Sequence, residues 1–209
     1  YMTQMKFFNN KVKKVDVTPE MKEQALGFAK SIILSGNQYS RLLPSEIRAS
    51  GDVTEQQKIE IQRTYVGKLG ELVFLKYLRM NGKEVDTYGM LDIYEGEANV
   101  DSYDFKTADG KTVDVKTGFR KIHSRLLINT EQFDNDPKTY YVAVKLNAED
   151  TDSWKKLVDW DSITEGSVMG YAEYSYLAEK AKVDDFGEGF ARYIEYYRLM
   201  GVDRLLSKF

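Results

Sequence analysis

The sequence predicts an α/β protein, and three observations carry that expectation. A long helical stretch with a stop-or-start signal at each end fills residues 54–80. Short strand patterns follow, among them an alternating hairpin over 102–118 and an apolar strand over 140–146. The chain has 209 residues, 42% hydrophobic and 30% charged, an ordinary globular balance with enough length for one sizeable core. A single domain is expected: an N-terminal helical extension over 1–53, a core over 54–146, and C-terminal strands with a helix over 147–209.

The elements follow in order. "VTPEMKEQALGFAKSIILS", residues 17–35, opens with Thr18 as N-cap and Pro19 at the first helical position. "SGNQYSRLLPSEIRASGD" reads as a loop-rich connector, broken at Pro44 and Gly51. Thr54 and Gln57 then make a capping box, and Asn81-Gly82 gives a C-terminal stop. Between them Val66, Leu69, Val73, Tyr77 and Met80 form an apolar stripe at helical spacing. Gly67 and Gly70 each cost about 1 kcal/mol against Ala inside a helix. Their pairing on successive turns predicts close approach of another backbone.

After Gly82 the pattern shortens. "KEVDTYG" and "LDIYEG" read as edge segments, followed by the hairpin. "RLLINTEQFDNDPKTYYVAVKL" reads as a strand, a short capped turn or helix near Thr130, and a strand over Tyr140–Leu146. A strand around "SVMGYAEY" comes next, then the unassigned "LAEKAKVDDFGEGFARY". "YIEYYRLMGVDRLLSKF" is expected to close the chain as an amphipathic helix.

Composition narrows the chemistry. Cysteine is absent and His123 is the one histidine, so thiolate and multi-histidine metal sites are excluded. A catalytic metal would need oxygen ligands, which favours Mg²⁺, Mn²⁺ or Ca²⁺. No apolar run approaches the roughly 18 residues of a membrane span, so no membrane partner is expected. The first residues lack a signal-peptide pattern, and a reduced, cytoplasmic protein is expected. The net charge of −3 gives no global attraction to a polyanion, so DNA would have to be met by local basic clusters.

The hairpin "SYDFKTADGKTVDVKTG" holds the chemistry. A three-residue loop, Ala108-Asp109-Gly110, puts Phe105, Val113 and Val115 on one face and Asp104, Asp114 and Lys116 on the other. Gly110 then occupies the left-handed position that such a loop requires. A two-residue Asp109-Gly110 turn is also chemically allowed, and it would send the two carboxylates to opposite faces. With the longer loop Asp104 faces Asp114, a like-charge pair that is destabilising across a sheet unless a cation bridges it.

These residues resemble the PD-(D/E)XK nuclease superfamily, the restriction-endonuclease-like and Holliday-junction-resolvase-like nucleases. Asp114-Val115-Lys116 matches the (D/E)XK element and Asp104 the upstream acid, for which Asp101 competes. Glu71 in "VGKLGELVFLKYLRMNGKEV" matches the acid of the family's first core helix. "LLINTEQFDNDPKTYYVAV" resembles its following strand, short helix and strand. Tyr103 departs from the family's proline. The resemblance spans about residues 60–146. It implies a mixed central β-sheet flanked by helices and Mg²⁺-dependent hydrolysis of DNA phosphodiesters, with Mn²⁺ as a substitute. Asp104, Asp114, the Val115 carbonyl and Glu71 would hold the metal, and Lys116 would orient the attacking water. A homodimer is expected, since cutting both strands needs two sites.

The basic strip after the hairpin supplies candidate phosphate contacts in Arg120, Lys121, His123 and Arg125, with Gln132 nearby. Lys11, Lys13 and Lys14 form a basic arm that either touches DNA or solvates the terminus. Two alternatives to a restriction or mobile-element nuclease stay open. One is a junction-resolving or repair nuclease, the other a non-catalytic DNA-binding module of the same fold.

Overall fold

The computed structural model describes residues 11–34, 53–87, 89–91, 103–149 and 158–209. Asp101, the connector and nearly all of "LDIYEG" lie outside them, as does the side chain of Thr54 and with it the capping box. The described chain is mixed α/β, with a five-stranded mixed sheet, a three-stranded antiparallel sheet and helices packed against them.

Strand β1 (Lys13–Asp16) precedes helix α1 (Pro19–Leu34), which Thr18 caps by accepting a hydrogen bond from the Met21 amide. Helix α2 (Val53–Met80) packs on α1 and across the larger sheet. Its stop at Gly82 is a Schellman arrangement. With Gly82 at φ 73°, its amide bonds to the Arg79 carbonyl and the Lys83 amide to that of Leu78. Val66, Leu69, Val73 and Tyr77 are buried as the stripe predicts, and Tyr65, Leu72, Phe74, Leu75 and Leu78 join them. Met80 is the exception: on the last turn it has run past the sheet and is 63% exposed. Gly70 meets β3, where an added Cβ would come within 2.9 Å of Cβ of Thr117. The close neighbour is met at Gly70, and it is the Thr117 side chain rather than another backbone.

The hairpin joins β2 (Phe105–Lys106) to β3 (Thr112–Gly118) in the register Phe105↔Val113 and Lys106↔Thr112. The loop has three residues and Gly110 stands at φ 82°. Beyond Gly82 the edge segment expected at "KEVDTYG" has no strand over 83–87. Residues past a capped helix end can take their hydrogen bonds from water and need no ladder.

Strand β4 (Arg125–Asn129) leads into helix α3 (Thr130–Asn135), whose N-cap Asn129 accepts from the Glu131 and Gln132 amides. Strand β5 (Tyr140–Leu146) runs parallel to β3, and β6 (Glu165–Glu173) is antiparallel to β5. The sheet order is β1-β6-β5-β3-β2. Val113, Val115, Val142 and Val144 face one apolar cluster with α2. Tyr141 and Ala143 face a second cluster with Phe133, Leu126, Ile128 and Ile194.

The C-terminal region corrects the sequence reading. After helix α4 (Tyr174–Lys180), strands β7 (Lys182–Asp185) and β8 (Phe190–Glu195) form a hairpin, and the second sheet has the order β4-β8-β7. The expected closing helix survives only as α5 (Val202–Leu206), after a 3₁₀ turn at Tyr196–Arg198. Its first three residues are strand because Ile194 pairs with Leu126, 68 positions away, and both are buried there. Local periodicity carries no record of such a partner. The basic arm is also built in: Lys13 and Lys14 lie in β1 beside β6, and the Lys11 ammonium donates to the Leu199 carbonyl at 2.5 Å.

Candidate active site

Three elements deliver the site. Helix α2 brings Glu71, one residue after the glycine that lets it press against β3. The end of β2 brings Asp104, and β3 brings Asp114, Val115 and Lys116. The five predicted residues are together, although the ladder does not extend as far as the sequence suggests. It ends at Phe105, and Asp104 bends out of it, donating its amide to the Val113 carbonyl at 3.0 Å.

That bend has a chemical result. The Asp104 carboxylate turns along the open edge of β3, and its Oδ2 accepts from the Val115 amide at 2.7 Å. Within a strand, the N–H and C=O of one residue point to the same side. The Val115 carbonyl therefore faces this same edge, beside the carboxylate that holds its amide.

The expected polar face of the hairpin is not solvated. Asp114 is 7% exposed, because its neighbour across β5 is Tyr141, whose ring packs on Phe133 in the second apolar cluster. Lys116 lies 2.7 Å from Asp114 Oδ2 and donates to Gln132 Oε1 on α3 at 2.9 Å. Even so, Asp114 Oδ2 is a buried oxygen without a hydrogen bond. The ammonium is at ion-pair distance but out of line for one. Glu71 is held by Lys68, at 2.7 Å from its Oε2. That ammonium also donates to the Met90 carbonyl at 2.6 Å and lies 4.2 Å above the Phe28 ring centroid.

Three carboxyl groups gathered away from water strain one another. Burial pushes Asp104 well above the usual carboxylate range, and the charges of Glu71 and Asp114 push it further. Burial also raises Glu71, against the opposing pull of Lys68. Among the described residues no three His, Cys, Asp or Glu side chains already converge as a metal-ligand set. Lysines and a backbone amide hold them instead. The donor chemistry nonetheless suits a hard divalent ion: acidic oxygens, a strand-edge carbonyl and one buried oxygen with no hydrogen bond.

The expected phosphate contacts divide. Gln132 belongs to the site itself, where it fixes Lys116. His123 is built into the turn after β3, its Nδ1 accepting from the Phe119 and Arg120 amides, both at 3.0 Å. Arg120 lies over the Phe119 ring, and Lys121 is exposed on the same turn. Arg125 stands apart on β4, its guanidinium stacked over Tyr193 and Phe186.

Lys68 is the residue that sequence reasoning missed. It is 8% exposed, and its ammonium is held by the Glu71 carboxylate, the Met90 carbonyl and the Phe28 ring. The signal was its place three residues before Glu71. Its anchors, Phe28 and Met90, lie too far away in sequence to signal anything.

Compared with family models, curated proteins and solved structures, the chain matches none of them.

Proposed function

We propose that this chain is a Mg²⁺-dependent endodeoxyribonuclease with a restriction-endonuclease-like core of the PD-(D/E)XK type. One observation carries the reading. Glu71, Asp104 and Asp114 come from three elements to one largely shielded region, near enough for their charges to act on one another, beside the Val115 edge and the Lys116 ammonium. Burying carboxylates together costs stability unless they are compensated. A fold that keeps such a cluster retains it for a cation or for chemistry.

In this reading Asp104, Asp114, the Val115 carbonyl and Glu71 hold Mg²⁺ or Mn²⁺. Bound there, the ion would acidify a water and neutralise charge growing on the phosphate. The protein's own part is positional. Lys116, steered by Gln132 on one side and Asp114 on the other, orients the attacking water toward phosphorus and offsets negative charge on the phosphoryl oxygens. Lys68 aims Glu71 and opposes the effect of its burial. Arg120 and Lys121 grip flanking phosphates. The enzyme acts on DNA as a homodimer, one site for each strand.

A second reading draws on the same ion pairs. Lys116 and Lys68 already neutralise Asp114 and Glu71, as they would in a non-catalytic DNA-binding module. Supercoiled plasmid incubated with the protein, with and without Mg²⁺, separates the two. Nicking that requires the metal supports the nuclease. DNA binding without nicking, in Mg²⁺ and in Mn²⁺, supports the module.

A further inference from the structure

The β7–β8 hairpin is the feature that the proposed chemistry leaves unused. Its tip reads Phe186-Gly187-Glu188-Gly189-Phe190, with Gly187 and Gly189 at φ 88° and 99°. Both are left-handed positions that favour glycine. Phe190 points largely to solvent at 60% exposed, while Phe186, 37% exposed, packs edge-on against Tyr193. Glu188, between the two glycines, reaches across to helix α2 and forms an ion pair with Arg63.

Arg63 is placed where this matters. Residues 63, 67 and 71 are spaced four apart and lie along one side of α2. Arg63 therefore stands about 12 Å from Glu71 along the helix axis, two turns before it. Between them is Gly67, which has no side chain to block the surface. The tip also lies next to the helix that carries Gln132, since Ala191 pairs with its N-cap Asn129 and the Thr130 hydroxyl donates to the Phe190 carbonyl. The arm thus links the helix bearing Glu71 to the helix that steers Lys116, and Glu188 closes it.

Resting on the nuclease reading above, we infer that Arg63 is a phosphate-binding residue of the DNA track leading to the site, and that Glu188 occupies it until DNA arrives. The physical case is a competition. The pair is lopsided: the Glu188 side chain is 43% exposed and that of Arg63 17%, so water and an incoming anion reach it from the Glu188 side. A DNA phosphate presents the same paired-oxygen geometry to a guanidinium as a carboxylate does. It also arrives with a whole strand of contacts behind it. Gly187 and Gly189 flank Glu188, so that residue can turn without moving β7 or β8.

The test is fluorescence-anisotropy titration of a short labelled DNA duplex in EDTA, so that cutting does not intervene. Wild type, Glu188→Gln, Arg63→Gln and the double variant are compared across a salt series. Glu188→Gln is expected to bind about two- to fivefold more tightly, the range set by loss of one exposed ion pair. Arg63→Gln is expected to bind more weakly, with its log-affinity against log-salt slope smaller by about 1. The double variant is expected to match Arg63→Gln alone, because Glu188 acts only through that residue. Melting temperatures, measured alongside, report folding. Duplex binding that Glu188→Gln leaves unchanged or weakens, or a double variant that is simply additive, would overturn the latch and leave the nuclease reading standing. No binding by wild type would overturn both.

Discussion

The two hairpins of this chain put opposite things in opposite places. The β2–β3 hairpin buries charge: Asp114 is 7% exposed, and Asp104 and Glu71 share its shielded edge. The β7–β8 hairpin exposes apolar surface, with Val183 at 49% and Phe190 at 60%. Neither follows from maximising stability, since buried carboxylates and solvent-facing rings both cost free energy. The contrast teaches where to look for function. In the proposed reading the first hairpin holds charge for a cation, and the second brings Glu188 against the helix that bears Glu71.

The largest expected effect falls on the first hairpin. Lys116→Ala is expected to lower cleavage by about 10²- to 10³-fold, the cost of one group that stabilises transition-state charge. It removes no metal ligand, so Mn²⁺ binding should hold or tighten. Asp114→Asn is expected to lose cleavage and metal binding together. Single-turnover cleavage and a metal titration on both variants check this. A Lys116→Ala enzyme cutting at wild-type rate would end the assignment.

Next in size is the contact that seats Glu71. Gly70→Ala drives a methyl into Thr117 of β3, with neighbouring atoms at 2.9 Å. A destabilisation of about 1–3 kcal/mol is expected from overpacking, measured by urea unfolding. An Ala variant as stable as wild type would mean that the close approach is not tight.

A smaller effect of opposite sign is expected at Asp104. Asp104→Asn removes a charge that its surroundings resist, and should stabilise the metal-free protein by about 1 kcal/mol. The pH dependence follows from the same cause. The folded pKa values of Asp104 and Glu71 lie above the unfolded ones, so the folded state binds more protons between the two. In that window, upward from about 4, these groups destabilise the metal-free fold progressively as pH rises. The cost is complete above the folded values and absent below the unfolded ones. Unfolding curves over pH, compared between wild type and Asp104→Asn, isolate this contribution from the rest of the chain. A variant no more stable than wild type at neutral pH would contradict it.

The first hairpin was legible in the sequence and the second was not, for a physical reason. Phe105, Val113 and Val115 alternate because one face meets α2, and Gly110 marks the loop length. The sequence left a two-residue turn open beside the three-residue loop found here, and it was the resemblance, not the alternation, that named the site residues. The bend at Asp104 was invisible, since it depends on where β2 stops pairing. So was the burial of Asp114, which comes from Tyr141 and Phe133 across the sheet. In β8 only Ala191 and Ile194 are buried, three residues apart, which is helical spacing on a strand. Arg63 and Glu188 are 125 positions apart, and only the fold brings them together.

The central claim is that the β2–β3 edge and Glu71 form a divalent-cation site. Calorimetric titration of the metal-free protein with Mn²⁺ at neutral pH, in two buffers of different ionisation enthalpy, tests it most directly. Metal must displace whatever protons the raised carboxyls of Asp104 and Glu71 retain. The expected result is saturable binding with proton release, both lost in Asp114→Asn. No Mn²⁺ binding, or binding that Asp114→Asn leaves intact, would contradict the account.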